Sequence, residues 1–323
     1  MKREKTKMIT SIGGQALMEG IMMRGPKRTT VSVRKYDGTI ESVDIEPMNL
    51  GKKCKFFRLP IVRGIVNMID SFGTGYKALM ISAEKAMEEE DENETPEEEK
   101  SRFEKWFDRH FGPKMFNILM TISMIFAIAI CVLIFFFVPS WTFNLLANGL
   151  PFLNDAMIYR SLFEGIFRIV LFLLYVSFCS ANKEVKRTFQ YHGAEHKTIF
   201  CYEYGLDLTV ENVRKQIRFH PRCGTSFLVI MLLIGIIIGL FIPFTNPFLR
   251  SAVKILCLPL TVGFGYELIK ICGRHDNWFT HIIAAPGLWV QRITTKEPDD
   301  DMIEVAIEAM TYVIPENGED RIA

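Results

Sequence analysis

Hydrophobic and polar positions divide the chain into three regimes. Near the N-terminus, residues 31–36 (Val-Ser-Val-Arg-Lys-Tyr) and 39–45 (Thr-Ile-Glu-Ser-Val-Asp-Ile) alternate apolar with polar side chains, the period of a half-buried strand. Asp37-Gly38 between them predicts a two-residue hairpin turn, and a preceding strand is expected over residues 19–24, turned by Gly25-Pro26. The period then changes. Ile61, Ile65, Met68, Ile69, Phe72, Tyr76, Leu79, Met80 and Ala83 recur at helical spacing and predict an amphipathic helix. Its charges argue against crossing a bilayer. It either lies in the interface plane or packs on other helices, and Gly64, Gly73 and Gly75 favour packing.

The third regime is continuous apolarity. Residues 116–138 form 23 positions without a charge, ended by Pro139, and 226–242 form 17 more. At ~1.5 Å per residue the first reaches roughly 35 Å, enough for a ~30 Å hydrocarbon core. Residues 158–181 and 249–271 are weaker spans with charges near their ends, where long basic side chains can snorkel. The connections 139–157 and 241–249 contain no Lys or Arg, whereas 182–222 and the flank holding Arg102, Lys105, Arg109 and Lys114 are basic. The positive-inside rule then places both termini and the 182–222 loop in the cytosol. Arg160, Glu164 and Arg168 share one helical face of the second span, either as a functional intramembrane group or as a self-neutralising ladder.

The predicted fold class is mainly α: a polytopic membrane helix bundle of about four spans, with a small N-terminal cytosolic β meander and an amphipathic helix. The expected regions are a cytosolic β-rich segment (1–59), the amphipathic helix and an acidic linker (60–100), and a first membrane pair (101–181). A cytosolic loop (182–225), a second membrane pair (226–272) and a C-terminal part (273–323) complete them. In the last part Trp278 and Trp289 suggest an interfacial segment broken by Pro286-Gly287. Asp299 then caps a helix with Ile303, Ile307 and Met310 on its apolar face.

Composition supports this division. The 323 residues are 49% hydrophobic and 23% charged, more apolar than a soluble domain but too charged to lie wholly in a membrane. Net charge is +1, so no global field recruits nucleic acid, and none is expected as a specific partner. Lys52, Lys53, Lys55 and Arg58, with Phe56 and Phe57, form a local basic-aromatic patch suited to anionic lipid headgroups. The acidic run 88–99 reads as a solvated linker. Seven cysteines without a C-x-x-C pair read as reduced thiols facing a cytosol.

Candidate chemistry gathers beside the apolar stretches, in His192-Gly193-Ala194-Glu195-His196 and His220-Pro221-Arg222-Cys223. On a helix, His192 and His196 project one turn apart with Cβ atoms about 5–6 Å apart, close enough to share a divalent metal, expected to be zinc. The spacing H-x-x-E-H matches the inverted zincin pattern, in which Glu195 acts as general base on a water. Gly193 weakens the helix that this needs. If His220 and Cys223 also bind, the shell is closed and structural; if only three of the four bind, a position stays open for catalysis. His275 and His281 are reserve ligands, His110 flanks a span, and Glu19 is the best N-terminal acid, though no spacing ties it to the site.

Four stretches extend over nearly the whole chain: Gly13-Gly14-Gln15-Ala16-Leu17-Met18-Glu19-Gly20-Ile21-Met22-Met23-Arg24, Tyr191-His192-Gly193-Ala194-Glu195-His196-Lys197, His220-Pro221-Arg222-Cys223-Gly224-Thr225-Ser226-Phe227, and Ala285-Pro286-Gly287-Leu288-Trp289 continuing to Glu297-Pro298-Asp299-Asp300. At these residues the chain resembles the bacterial YqhQ family, uncharacterised membrane proteins often labelled as predicted metal-dependent enzymes. The resemblance implies a bacterial cell-membrane location and a metal, but no substrate. Three functions follow as expectations. One is a metal-dependent hydrolase acting on a membrane-proximal substrate. Another is a scaffold or membrane-protein biogenesis factor with a structural metal, partnering other membrane proteins or the translocation machinery. The third is a transporter built on Arg160, Glu164 and Arg168.

Overall fold

A computed structural model describes residues 8–87, 113–154, 156–274 and 277–321 of the chain. The acidic run 88–99, Arg102, Lys105, Arg109, His110 and His275 lie outside the described residues, as do the side chains of Lys52, Lys53 and Lys114. The protein is mainly helical, with a four-stranded antiparallel sheet at its N-terminus. The strands are β1 (Gly13–Leu17), β2 (Gly20–Arg24), β3 (Thr29–Arg34) and β4 (Ile40–Asp44), paired in sequence order. The helices are α1 (Val62–Met87), α2 (Pro113–Val132), α3 (Val138–Gly149), α4 (Met157–Cys179) and α5 (Lys183–Glu203). They continue with α6 (Gly224–Leu240), α7 (Pro247–Leu256), α8 (Leu258–Arg274), α9 (Trp278–Thr294) and α10 (Asp300–Val313).

The chain divides into two compact units, one of residues 1–88, 172–234 and 259–323 and the other of 89–171 and 235–258. In the first, the meander is covered on both faces, so β2 is buried at nearly every position. Period two sorts its side chains: Ile21 and Met23 join Tyr191, Ala194 and the α10 residues Ile303, Ala306 and Met310 in one core. Met22 faces the other way, toward Leu17, Val31, Val33 and Ala78 of α1. The β3–β4 turn differs from the expected two-residue loop. Arg34 pairs with Ile40, Gly38 N–H donates to the Lys35 carbonyl, and Gly38 takes φ +84°, the geometry of a three-residue turn with a left-handed glycine. Asp37 accepts from both Thr39 N–H and Thr39 Oγ1, which draws the turn one residue longer.

On α1 the glycines do mediate close approach: a Cβ on Gly64 would strike Tyr266 and Gly263 of α8, and one on Gly75 would strike Gln15. The face on the sheet, however, is small and polar, with Thr74, Ala78 and Ser82 buried and Asp70 paired with Arg24 at 2.7 Å. Ile69, Phe72, Tyr76, Leu79 and Met80 stand exposed, so the apolar stripe expected to pack is turned outward. Two further expectations are corrected. The helix of residues 278–294 is not broken at Pro286-Gly287: it runs through both, because Gly287 lets the backbone lie against Ser226 at the start of α6. Asp299 occupies the cap position of α10, but its carbonyl rather than its side chain accepts from Met302 and Ile303.

In the second unit, Pro139 does not end the first apolar helix. A π-helical turn at Leu133–Phe137 precedes it and accommodates the missing N–H, and the helix continues to Gly149. Among the described residues, two helices are long and apolar enough to cross a membrane, residues 125–149 and Met157–Cys179, and α7 with α8 makes a third if that pair, bent by 48°, is one span. At 17 residues α6 is apolar but short.

Candidate metal centre

Helix α5 carries the site. Asn182 starts it by accepting from the Glu184 and Val185 amides at 2.8 and 3.3 Å, and Glu184 complements the positive end of the dipole. His192, Glu195 and His196 then lie on successive turns facing a cavity of about 550 Å³, lined across from them by Gly14, Arg222, Cys223 and Thr225. Cys223 sits just before α6, in a turn where its N–H donates to the His220 carbonyl. Ligand atoms of His192, His196 and Cys223 all lie within 4.8 Å of one another.

The hydrogen bonds of the two imidazoles set their roles. His192 Nδ1 lies 2.8 Å from the Thr294 carbonyl and His196 Nδ1 lies 2.5 Å from the Arg218 carbonyl. A carbonyl only accepts, so each Nδ1 carries a proton, and Nε2 is the nitrogen that would offer its lone pair to an ion displacing any proton there. His192 Nε2 is 3.1 Å from Cys223 Sγ. Usual zinc–nitrogen and zinc–sulfur bonds put such a pair roughly 3.5 Å apart in a tetrahedral shell. The His192–Cys223 pair therefore fits a borderline-soft divalent ion after a shift of a few tenths of an ångström, with the His196 donor within 4.8 Å of both. Glu195 is buried beside it. Gly14 N–H bonds its carboxylate, while Oε2 has no hydrogen-bond partner.

Electrostatics follow from this crowding. Burial raises the pKa of Glu195, with the Cys223 sulfur adding to it. Burial opposes charge on His192, yet the adjacent Cys223 and Glu195 raise its pKa to about 9. Burial likewise opposes the Cys223 thiolate, but His192 and His196 hold its pKa well below the ordinary thiol value.

His220 is near but turned elsewhere. Its ring packs 5.5 Å from that of His196 and 4.7 Å from Phe200, while Nδ1 accepts from Arg222 N–H and Nε2 faces Glu203 Oε2 at 3.9 Å. Burial lowers its pKa to about 4. The structure thus gathers His192, His196, Cys223 and Glu195, and places His220 in a neighbouring group with Glu203 and Arg222. His281 lies on α9 and is not among the gathered ligands. Glu19, at φ +47°, pairs with Arg187 at 2.5 Å and accepts from Tyr191 at 3.2 Å, one turn from the metal group rather than in it.

Several residues besides the candidate ligands support the site. Buried Gln291 accepts from His220 N–H and donates to the His220 carbonyl, both at 2.7 Å, and to Ser226 Oγ. Gly193 leaves room for the Lys296 carbonyl, so residues 294–298 can run along α5 and present Thr294 to His192. Gly14 does the same for Glu195, whose side chain would lie 3.0 Å from an added Cβ. Arg222 bonds both the Thr10 carbonyl and Glu203, tying the N-terminal segment beside the cavity.

The fold and the pocket define a mainly helical protein with membrane-length apolar helices and a His-His-Cys group, buried at His196 and Cys223 and half-buried at His192, next to a carboxylate. Residues 59–316 match the family model described as a protein of unknown function, DUF1385. The chain is also 33% identical over 311 residues, 96% of its length and 94% of the relative's, to the uncharacterized protein YqhQ of Bacillus subtilis (strain 168). It belongs to this YqhQ family. No solved structure matches it.

Proposed function

We propose that the chain is a metal-dependent hydrolase of the bacterial cell membrane, with His192, His196 and Cys223 holding a divalent ion, zinc by its donor set, and Glu195 serving as the base. One observation carries this reading: both imidazoles spend Nδ1–H on backbone carbonyls and present Nε2 toward one thiol. Three ligands rather than four leave the shell open, the arrangement of catalytic rather than structural zinc. When bound, the ion supplies Lewis acidity that makes water a better acid and polarises an acyl or phosphoryl oxygen. Glu195 contributes its free Oε2 and a pKa raised by burial, which makes it a stronger base than an ordinary carboxylate, able to take a proton and return it to a leaving group. The Gly14 amide fixes its other oxygen.

The substrate class is membrane-proximal. The outward apolar stripe of α1 and the exposed Phe56 and Leu59 beside Arg58 suit an interfacial seat on lipid, with four spans and cytosolic termini. In the test, Glu195→Gln keeps the ion and the fold but abolishes the cellular function that a deletion removes. Retained function with an intact ion makes the metal structural and favours the scaffold reading.

A second reading rests on the 3.1 Å contact of His192 with Cys223, whose sulfur also meets Thr225 Oγ1 at 3.2 Å. It makes Cys223 a metal-free thiolate nucleophile with His192 as its acid–base partner. Rapid, stoichiometric alkylation of Cys223 in chelator-washed active protein, with loss of activity, supports it.

A further inference from the structure

The sheet ends in an open edge at the candidate metal centre. Strand β1 pairs with β2 on one side and with no strand on the other. Two bonds fix which of its groups face outward. The Gly14 N–H reaches the Glu195 carboxylate rather than β2. The Glu19 carbonyl accepts from Arg34 N–H on β3, so odd positions from 19 onward serve β3 and even ones serve β1. Gly13, Gln15 and Leu17 therefore carry the ladder to β2, while Ile12, Gly14 and Ala16 point their N–H and C=O groups away from it. Ile12 N–H is taken by Thr10 Oγ1 at 3.1 Å and Gly14 N–H by Glu195. Among the described residues, the Gly14 carbonyl and both outward groups of Ala16 have no partner.

That edge lines the cavity of about 550 Å³ together with His192 and His196, and Gly14 is exposed. A Cβ on Gly13 would meet nothing within 4 Å, and β1 carries no charge or proline of the kind that closes a free edge. Alternating donors and acceptors along an edge are matched by an extended backbone, which lies about 4.8 Å away when it pairs. Charge narrows the choice. Arg222 is the one Lys or Arg among the described lining residues, and its guanidinium is spent on the Thr10 carbonyl at 2.7 Å and on Glu203. A phosphate-bearing headgroup would find no free Lys or Arg there and would sit against Glu195. The partnerless Oε2 of the buried Glu195 calls instead for a donor, which a peptide N–H or a water supplies. Phe189, Ile199 and Leu228 add apolar wall for side chains.

We propose that the open edge of β1 seats an extended peptide segment, so that the bond presented to the metal group is an amide; this rests on the hydrolase reading. Hydrolysis adds the oxygen of one water to the carbonyl carbon and breaks the C–N bond. Glu195 carries one water proton to the leaving nitrogen, and the other stays on the new carboxyl group, which then ionises. The test uses the full chain in detergent, loaded with zinc, and reads binding by calorimetry. The probes are acetohydroxamate, which needs only the ion, N-acetyl-trialanine hydroxamate, and octanoyl hydroxamate, an acyl tail without amides. The trialanine probe should bind about tenfold or more tighter than the other two, the worth of one or two backbone hydrogen bonds. N-methylation of its successive residues should weaken it alternately, the period of a paired strand. Ala16→Pro removes an outward N–H and no ladder bond to β2, so it should abolish the gain and leave acetohydroxamate binding unchanged. Trialanine and octanoyl probes that bind alike point to a lipid acyl chain and overturn the proposal, with the metal centre left standing. N-methylated probes that bind as well as their parent also overturn it, and they decide the matter on the wild-type chain if Ala16→Pro does not fold. Absence of binding by every probe, acetohydroxamate included, overturns the hydrolase reading and the proposal with it.

Discussion

Gly193→Ala separates this account from ordinary helix energetics. In a solvated helix interior, replacing glycine by alanine stabilises by up to about 1 kcal/mol. Here the added Cβ would overlap the Lys296 carbonyl oxygen. Helix α5 is fixed by the core through Tyr191, Ala194 and Ile199, so the 294–298 segment must move. That movement breaks the Lys296 N–H bond to the Phe189 carbonyl, now 2.8 Å, and withdraws the Thr294 carbonyl from His192 Nδ1. Two hydrogen bonds at roughly 0.5–1.5 kcal/mol each, with overpacking of about 1–3 kcal/mol, outweigh the gain in propensity. The expected net is a loss of about 1–5 kcal/mol. Loss of the Thr294 support should also weaken metal affinity about 10–100-fold. Unfolding of the detergent-solubilised chain in denaturant, with and without chelator, measures the first effect, and competition with a zinc indicator measures the second. A Gly193→Ala protein more stable than wild type, with unchanged metal affinity, would refute the reasoning.

Gln291→Leu should strip the His220 amide and carbonyl of their partner and cost about 2–4 kcal/mol, read in the same denaturation assay. Gly14→Ala should place a Cβ 2.7 Å from the Met22 carbonyl and 3.0 Å from Glu195, costing about 1–3 kcal/mol and displacing the base while metal content is kept. His220 gives a pH dependence. Folded, it resists protonation until about 4, against an ordinary value of 6.5, so between those values the unfolded chain binds the extra proton. Stability should therefore fall as pH drops from 6.5 toward 4, by on the order of 3 kcal/mol, and His220→Gln should flatten that part of the Tm–pH profile.

What could be read in advance was what side-chain pattern encodes. The meander, the apolar helices and the convergence of His192, His196 and Cys223 follow from period, length and ligand type. Strand β1 was missed because Gly13 and Gly14 lower strand propensity, although Gly14 is there for close approach to Glu195. The carbonyls of Thr294 and Arg218 that orient the imidazoles have no signature, since any residue supplies a backbone acceptor. Pro139 and Pro286 read as breaks because the local rule ignores a neighbouring π turn or a packed partner helix. The ladder of Arg160, Glu164 and Arg168 looked nearly self-neutral along one helix; Arg250 and Lys254 reach Glu164 from a helix more than 80 residues away.

The central claim is that two imidazoles and one thiolate hold a single ion. X-ray absorption at the zinc edge of protein purified without chelator, together with its metal stoichiometry, tests it most directly. The account predicts one ion per chain with one sulfur and two imidazole nitrogens among its ligands, the sulfur disappearing in Cys223→Ser. Folded protein that takes up no ion on reconstitution, or one whose bound ion lacks a sulfur ligand, would contradict it.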